Sequence, residues 1–443
     1  MLCGQIVYHV GMLQLIRRSG LPLLIFFALA LVACGPATSG EPGPAGDDIA
    51  AQPTQTSPAL ATDTAEPAPT STPNAPPTDE APTGEAGDEN NGDADAPRDI
   101  AQSFSTDFSK RVISFDDILS GGPPKDGIPA IDDPQFVSID EADAWIGDLE
   151  PVTVFEHNGD ARIYPFQILT WHEIVNDVVG GQPVAVTFCP LCNTAIVFDA
   201  TVEGRQLDFG TTGRLRYSNL LMYDRQTESW WQQATGEAVM GEFTGSRLTL
   251  IPAPIISWAE ARDSFPGAQV LSQETGFRRP YGQNPYAGYD NINSSPFLFR
   301  EATPDELPPM ARVTTVELNG EAVAYPEEVL QDVGVVNDTA GGVEVAVFWQ
   351  EGLASALDSS AIAAGRDVGA TAVFERTLDG QTLVFTPDGA GAIVDEQTGS
   401  TWNVLGQAVA GELAGRQLTP VVKIDHFWFS WAAFRPDTRI YQP

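Results

Sequence analysis

The sequence predicts a mainly β, α+β protein built from two related β-rich halves. Two Asn-Gly pairs, Asn158-Gly159 and Asn319-Gly320, lie between alternating apolar runs, which is the strongest short signal for a β-hairpin. β-branched segments separated by turn residues follow the first pair, and such segments favour strands. The motifs around the two pairs recur in the same order along the chain, so an internal duplication is predicted.

The repeat extends well beyond the Asn-Gly pairs. Residues 152–159 match residues 313–320, and the same offset relates a Tyr-Pro, an Asn-Asp and a Gly-Gly pair in the two halves. A second block aligns Trp231 with Trp402 and, further on, Trp258 with Trp431. The predicted halves are residues 99–300 and 301–443, with matching cores at about residues 140–275 and 305–443. Tryptophans that both halves share are expected in the core.

Each half is predicted to combine a short helix with several strands. In the first half the helix is expected over residues 166–179, because Pro165 precedes it and Gly180-Gly181 follow it. Six β-rich segments come next, and they predict a twisted antiparallel sheet or a small barrel. The predicted strands are residues 184–188, 195–201, 206–209, 219–224, 237–241 and 248–251.

The N-terminal residues predict an export signal with a lipid anchor. Arg17 and Arg18 precede an apolar run at residues 21–32, which is too short for a spanning helix. The run ends in Leu-Val-Ala-Cys-Gly, which resembles the lipobox of bacterial lipoproteins, where the cysteine carries the lipid. Residues 1–33 are therefore the predicted signal peptide and Cys34 the predicted lipidation site. The expected location is the outer face of the membrane, in the cell envelope.

Composition separates a tether from the folded part and excludes one class of partner. Residues 34–98 are rich in Pro, Ala, Thr and acidic residues, which predicts a disordered acidic tether. The 443 residues include 60 acidic and 23 basic side chains, a net charge of −37. Because this charge repels phosphate backbones, a nucleic-acid partner is excluded. The predicted membrane contact is the lipid on Cys34.

The candidate site is a Cys-x-x-Cys pair in the first half. Cys189 and Cys192 follow an apolar strand, and their spacing suits a metal knuckle, a thiol redox pair or a structural disulfide. A thioredoxin-like site needs a helix directly after the first cysteine, whereas the residues after Cys192 predict a strand. Asn193 can adopt the left-handed conformation that closes a knuckle. Structural zinc takes about four ligands, so a metal needs further ligands from elsewhere.

Comparison of the two halves selects the further ligands. His172 aligns with a valine, Glu173 with a glycine and Cys189 with a glutamine, and the second half contains no Cys-Pro-Leu-Cys turn. Residues kept in both halves are expected to serve the fold, and residues present in only one half are freer to serve a site. By this reasoning His172, Glu173, Cys189 and Cys192 form the candidate site.

The same comparison sorts two other features. The Asn-Asp pair at residues 176–177 recurs at residues 337–338, so it is assigned to capping or turn structure. Residues 210–219 are an insertion in the first half that contains Arg214, Arg216 and Tyr217. Its glycines and arginines suit a loop that binds an anionic ligand. A solvated hairpin loop is the alternative interpretation.

Five strings together resemble a known family. They are Lys-Asp-Gly-Ile-Pro-Ala at residues 125–130, Trp-His-Glu-Ile-Val-Asn-Asp at 171–177, Thr-Phe-Cys-Pro-Leu-Cys-Asn at 187–193, Ser-Trp-Trp-Gln-Gln at 229–233 and Tyr-Gly-Gln-Asn-Pro-Tyr at 281–286. The chain resembles the bacterial and archaeal family catalogued as domain of unknown function 3179. The resemblance covers most of the folded chain and implies an extracytoplasmic location. It carries no assigned activity.

These residues predict a transition-metal site. Two thiolates and an imidazole, from Cys189, Cys192 and His172, suit copper or zinc, with Glu173 or a methionine sulfur as a fourth ligand. A zinc ion with an open position would activate water with Glu173 as general base, as in a metal-dependent hydrolase. One alternative is a non-catalytic cell-envelope binding module with a structural Cys189–Cys192 disulfide. Another is a thiol redox protein.

Overall fold

The computed structural model describes residues 96–389 and 391–443. The predicted signal peptide, Cys34 and residues 34–95 of the predicted tether lie outside the described residues. No helix in the described part of the chain is long and apolar enough to cross a membrane.

The first half contains four short helices and sixteen strands. The helices are α1 (Arg98–Ala101), α2 (Ile139–Ala142), α3 (Phe166–His172) and α4 (Trp258–Ser264). The strands are β1 (Ile118–Ser120), β2 (Phe136–Val137), β3 (Pro151–His157), β4 (Asp160–Pro165), β5 (Ile174–Val179), β6 (Gln182–Cys189), β7 (Thr194–Asp199), β8 (Thr201–Val202), β9 (Arg205–Gln206), β10 (Phe209–Arg216), β11 (Asn219–Asp224), β12 (Trp230–Gln232), β13 (Glu237–Met240), β14 (Thr249–Ile251), β15 (Ile255–Ser257) and β16 (Gln269–Leu271).

The second half follows after a connecting segment, defined here as residues 278–299. Its helices are α5 (Glu327–Val333) and α6 (Trp428–Phe434). Its strands are β17 (Arg312–Leu318), β18 (Glu321–Pro326), β19 (Val335–Ala340), β20 (Val343–Gln350), β21 (Ala370–Glu375), β22 (Thr377–Leu378), β23 (Gln381–Thr382), β24 (Phe385–Pro387), β25 (Ile393–Asp395), β26 (Thr401–Trp402), β27 (Ala408–Ala410), β28 (Thr419–Pro420), β29 (Lys423–Phe427) and β30 (Arg439–Ile440).

The main sheets of the two halves correspond, except that β1 and β2 have no counterpart among the described strands of the second half. In the first half the strand orders are β15-β3-β4-β16-β2, β14-β7-β6-β5 and β1-β10-β11-β12-β13. In the second half they are β29-β17-β18-β30, β19-β20-β21-β28 and β24-β25-β26-β27. Neighbouring strands are antiparallel, except that β16 is parallel to β4 and β30 is parallel to β18. The fold is therefore mainly β, as predicted, and the described strands form open sheets rather than a closed small barrel.

Both predicted Asn-Gly hairpins are confirmed. β3 pairs with β4 and β17 with β18 around two-residue turns, in which asparagine and glycine both have positive φ angles. This is the conformation that Asn-Gly pairs favour in hairpins. The asparagine side chains also hold a second hairpin, because Asn158 Nδ2 donates to the carbonyl of Gly180 at 3.0 Å and Asn319 Nδ2 donates to that of Gly341 at 2.9 Å.

The predicted helix over residues 166–179 is wrong in its second part. Helix α3 ends at His172, Glu173 has a left-handed backbone (φ 59°), and β5 begins at Ile174. β-branched residues dominate β5 and favour a strand, which pairs with β6. The Gly180-Gly181 pair is consequently a hairpin turn between β5 and β6 rather than the end of a helix.

The shared tryptophans lie in the core, as predicted. Trp231, Trp258, Trp402 and Trp431 are all at most 4% exposed. The pairing of Trp258 with Trp431 is wrong, however, because α4 begins at Trp258 and α6 begins at Trp428, so Trp428 is the structural counterpart of Trp258. Two of the four tryptophans each bond to an aspartate seven residues earlier in the chain. The indole N–H of Trp231 donates to Asp224 at 2.9 Å, and that of Trp402 donates to Asp395 at 3.0 Å.

The two halves pack against each other beside the Cys-x-x-Cys turn. The largest apolar cluster contains residues of both halves, among them Phe188, Cys192 and Phe427. A buried hydrogen bond of 2.8 Å also joins Thr194, at the start of β7, to His426 in β29. The candidate cysteines therefore lie near the boundary between the halves.

Candidate thiol site

The Cys-Pro-Leu-Cys sequence forms the tight turn of the β6–β7 hairpin. Cys189 ends β6, residues Pro190–Cys192 make one 3₁₀ turn, and β7 starts at Thr194. Pro190 suits the first position of this turn because its φ is already fixed. Asn193 closes the turn with a φ of 53°, in the left-handed conformation considered from the sequence. The strand predicted after Cys192 is also confirmed, so the turn does not lead into a thioredoxin-type helix.

The two thiols lie against each other and are buried. Both cysteines are free, and they are 2% and 0% exposed. Both thiols point at the carbonyl oxygen of Ser218, Cys192 at 3.5 Å and Cys189 at 4.0 Å. Burial raises the pKa of the Cys189 thiol well above its usual value. Burial therefore favours the uncharged thiol at Cys189.

Glu173 lies beside Cys189 because of the unusual end of α3. Its backbone N–H donates to the carbonyl of Leu169 at 2.7 Å, and its carbonyl accepts from the N–H of Phe188 at 2.8 Å. The side chain is only 6% exposed. Burial raises the pKa of the Glu173 carboxyl well above its usual value, and the negative charge of a Cys189 thiolate acts in the same direction. Burial thus favours the uncharged form of this carboxyl group.

Two tyrosines of the connecting segment lie close to the thiols. The hydroxyl of Tyr289 donates to the carbonyl of Leu191, within the cysteine turn, at 3.0 Å. Burial raises the pKa of Tyr286, and the charges of Glu173 and Cys189 act on it as well. The connecting segment therefore covers the Cys-Pro-Leu-Cys turn with aromatic side chains.

The ring nitrogens of His172 bond to Pro129 and Tyr281 rather than to a cysteine. Its Nδ1–H donates to the carbonyl of Pro129 at 2.7 Å, and its Nε2 accepts from the hydroxyl of Tyr281 at 2.7 Å. Burial lowers the pKa of His172 to about 4, so the ring is neutral at pH 7. Both ring nitrogens already have partners. Within residues 96–389 and 391–443, no group of three or more His, Cys, Asp or Glu side chains converges as a metal site.

The residues of the predicted anion-binding loop belong to a regular hairpin. Arg214 and Arg216 lie in β10, and Tyr217 starts the two-residue turn that leads to β11. The Arg214 guanidinium pairs with Asp99 at 2.6 Å, and the Arg216 guanidinium lies 4.4 Å from the centre of the Tyr217 ring. Residues 210–219, which were expected to form a loop, thus belong mostly to strand β10. The turn that follows this strand places the carbonyl oxygen of Ser218 against the Cys192 thiol.

Sequence reasoning missed Ser218, Tyr286 and Tyr289. Each reaches the cysteines from a distant part of the chain, and no local pattern marks such contacts. One signal was present for Tyr286, since the Tyr-Gly-Gln-Asn-Pro-Tyr string that contributed to the family resemblance ends at this residue. For Ser218 there was no such signal, because its carbonyl oxygen rather than its side chain contacts Cys192.

Comparison with known proteins identifies the family. A search of curated proteins and a search of solved structures found no match. One family model, described as "Protein of unknown function (DUF3179)", matches residues 125–438. This match covers most of the chain and includes both halves, the cysteine turn and the connecting segment. The chain therefore belongs to the DUF3179 family of proteins of unknown function.

Proposed function

We propose that Cys189 and Cys192 form a reversible dithiol–disulfide pair and that the chain is a thiol redox protein. The observation that carries this proposal is that two buried thiols lie in one tight turn and both point at the carbonyl oxygen of Ser218, Cys192 at 3.5 Å and Cys189 at 4.0 Å. Joining the sulfurs releases two protons and two electrons. A disulfide of a small thiol or of a partner protein accepts them and becomes two thiols.

The surroundings of the pair favour uncharged states. A dithiol and a disulfide are both neutral, whereas a pair of thiolates would place negative charge in a buried site next to Glu173. Oxidising thiol–disulfide proteins owe their high potential to a stabilised reduced form with a low thiol pKa. Since burial raises the pKa of Cys189, the reduced form lacks this stabilisation, and we expect a stable disulfide.

We also propose an extracytoplasmic location for this chemistry. The lipobox-like string ending at Cys34 and the acidic tether over residues 34–98 support a lipid-anchored protein on the outer face of the membrane. Disulfides persist in such compartments. The oxidised pair would then be the resting state, and a reductant outside the membrane would open it.

We further propose that the two halves arose by internal duplication. The corresponding sheets, including the parallel β4–β16 and β18–β30 pairs, support this origin. The two halves differ at the turn that matters here, because residues 190–193 connect β6 to β7 whereas residues 351–369 connect β20 to β21. The second half would thus have kept the fold without the thiols.

Intact mass measurement of the full chain tests the redox proposal. Protein purified from an oxidising compartment without added metal should weigh two hydrogens less than the dithiol, and Cys189→Ser should abolish this difference. His172→Ala should leave it unchanged. Equilibration with thiol buffers should interconvert the two forms in the folded protein. A disulfide that is reduced only after unfolding would contradict the proposal and favour the structural disulfide of a binding module.

The same measurement tests the metal site predicted from the sequence. Copper or zinc binding through Cys189 and Cys192 requires that the thiols lose their protons. An extra mass of one metal ion that is lost in both Cys189→Ser and His172→Ala would support that prediction. A metal ion held by both thiolates would also count against the redox pair. To bind that ion, His172 would have to leave its two present partners.

A further inference from the structure

The turn between β10 and β11 differs from the other two-residue hairpin turns in the part of the chain that the structure describes. Its residues, Tyr217 and Ser218, have φ angles of 54° and 65°. Positive φ angles at both positions favour asparagine or aspartate followed by glycine. The second residue of each other turn is a glycine, namely Gly159, Gly181, Gly204, Gly320, Gly342 and Gly380. Among these turns, the β10–β11 turn is therefore the one with side chains at both left-handed positions.

Ser218 is unfavourable at this position for a second reason. The residue is fully buried, and its hydroxyl oxygen has no hydrogen-bond partner among the described residues. A left-handed backbone and a buried unpaired hydroxyl both cost free energy. Costs of this kind concentrate at functional sites. Here the site is the pair of thiols that the turn contacts.

The two thiols supply the hydrogen bonds that hold the turn in place. The Cys192 thiol donates to the carbonyl oxygen of Ser218 at 3.5 Å, and the Cys189 thiol donates to the same oxygen at 4.0 Å. A disulfide has no S–H group, so oxidation of the pair removes both donors at once. A buried carbonyl oxygen that loses its donors is destabilised. The present position of the turn is therefore favourable only beside the dithiol.

We infer that the Tyr217–Ser218 turn responds to the oxidation state of the pair, being held by the dithiol and released by the disulfide. The inference rests on the proposed redox function. Oxidation by the disulfide of a small thiol joins the two sulfurs, and that disulfide takes up the two protons and two electrons to become two thiols. Ser218 acts through the thiols and is a positioning residue.

Release of the turn makes the pair harder to reduce. The turn is strained while it is held, so its release lowers the free energy of the disulfide form relative to the dithiol form. By linkage, a substitution that removes the strain beforehand must shift the equilibrium towards the dithiol. Release also alters the boundary between the halves, because the Tyr217 ring lies edge-on to Phe434 of α6, with 5.4 Å between the ring centres.

The Ser218→Gly variant tests this linkage. It keeps the backbone carbonyl and Tyr217, and it removes both the strain at a φ of 65° and the unpaired hydroxyl. The full chain is equilibrated with mixtures of reduced and oxidised dithiothreitol, and intact mass gives the fraction of disulfide. We expect the equilibrium of the variant to shift towards the dithiol by about tenfold.

Glu203→Asn provides the matched control. Glu203 has a φ of 51° in the exposed β8–β9 turn, and asparagine adopts this conformation more readily than glutamate. The substitution therefore relieves strain in a turn whose position does not depend on the thiols. We expect it to leave the equilibrium with dithiothreitol unchanged.

Hydrogen exchange of the unmodified protein tests the release itself. The backbone amides of residues 216–219 should exchange at least about tenfold faster in the disulfide form than in the dithiol form, whereas those of residues 203–204 should exchange equally in both. Equal exchange of residues 216–219 in the two forms, or an equilibrium that Ser218→Gly leaves unchanged, would overturn the inference but leave the redox pair intact. If the unmodified protein does not interconvert between dithiol and disulfide, the redox proposal itself fails.

Discussion

His426 joins the second half to the first through a single side-chain hydrogen bond. Its Nδ1 bonds to the hydroxyl of Thr194 at 2.8 Å, and the whole residue is buried. The equivalent position in the first half is Ile256, since both residues pair with the second residue of the central hairpin strand. Burial lowers the pKa of His426 to about 3. The imidazole is therefore neutral in the folded protein above that pH.

His426 should make the protein less stable in mild acid. In the unfolded chain the imidazole gains a proton below pH 6.5, whereas in the folded chain it does so only near pH 3. The unfolded state thus binds more protons between these values, and stability falls as pH falls. We expect His426 alone to account for about 2 kcal/mol of the loss between pH 7 and pH 5.

Urea unfolding of the His426→Ile variant at pH 7 and pH 5 measures the contribution of His426 to this loss of stability. The variant has the residue of the first half at this position, and its loss of stability between pH 7 and pH 5 should be smaller by that amount. An unchanged loss would contradict the assigned pKa. Any constant difference at both pH values reports only the missing bond to Thr194.

Comparison of the halves predicted the roles of single residues only in part. Asn176 was correctly assigned to the fold, but it links two sheets rather than capping a helix. Its amide exchanges two hydrogen bonds with the backbone of Phe209, and Asn337 does the same with Phe385. Partners more than 30 residues away leave no local signal in the sequence. The comparison therefore shows that a residue serves the fold, and the structure shows how.

At the scale of elements, each half contains two hairpins whose turns are hydrogen-bonded to each other. The β5–β6 turn lies against the β3–β4 turn, and the β19–β20 turn lies against the β17–β18 turn. The two glycines of the β5–β6 turn differ in their surroundings. A Cβ at Gly180 would lie 2.1 Å from the carbonyl oxygen of His157, whereas a Cβ at Gly181 would meet nothing within 4 Å.

Gly180→Ala should therefore destabilise the protein more than Gly181→Ala. Both substitutions place alanine at a positive φ, which costs roughly 1–2 kcal/mol. Gly180→Ala must also separate the two hairpins, so we expect a total loss of at least about 3 kcal/mol. Chemical unfolding of both variants measures the difference. Equal losses would show that the hairpins separate freely.

The boundary between α3 and β5 shows where pattern reasoning fails at this scale. The apolar residues of 166–179 fit helical spacing, and Pro165 and Gly180 fit helical ends. The helix ends early because Glu173 adopts a backbone conformation that is rare for glutamate. A rule based on propensity cannot anticipate a residue in an unfavourable conformation. The missed boundary therefore lies at a residue whose conformation no sequence pattern marks.

At the scale of the whole molecule, ion pairs with the second half hold the connecting segment in place over the thiols. Asp290 of the connecting segment is buried and forms ion pairs with Arg312 at 2.9 Å and Arg366 at 2.8 Å. Arg366 belongs to the segment of residues 351–369 that takes the place of the cysteine turn in the second half. The sequence shows this half only as the one without the Cys-Pro-Leu-Cys turn, because contacts between distant segments do not appear in a comparison of aligned positions.

Release of the connecting segment should expose the thiols. Breaking a buried ion pair costs about 3–5 kcal/mol, and each 1.4 kcal/mol changes a population about tenfold. If Asp290→Ala loosens only the segment, its open state becomes at least ten times more populated. We expect the reduced Asp290→Ala protein to react with iodoacetamide at Cys189 and Cys192 at least about tenfold faster than the unmodified protein, under conditions where both remain folded.

Asp358→Ala provides the matched control for this prediction. Asp358 also pairs with Arg366, at 3.0 Å, but its side chain is 30% exposed, so its loss should matter less. Faster alkylation in Asp290→Ala alone would show that the buried ion pairs of Asp290 hold the connecting segment over the thiols. Equal rates in the unmodified protein and in Asp290→Ala would mean that reagents reach the cysteines by another route. In that case the second half would not control access to the redox pair.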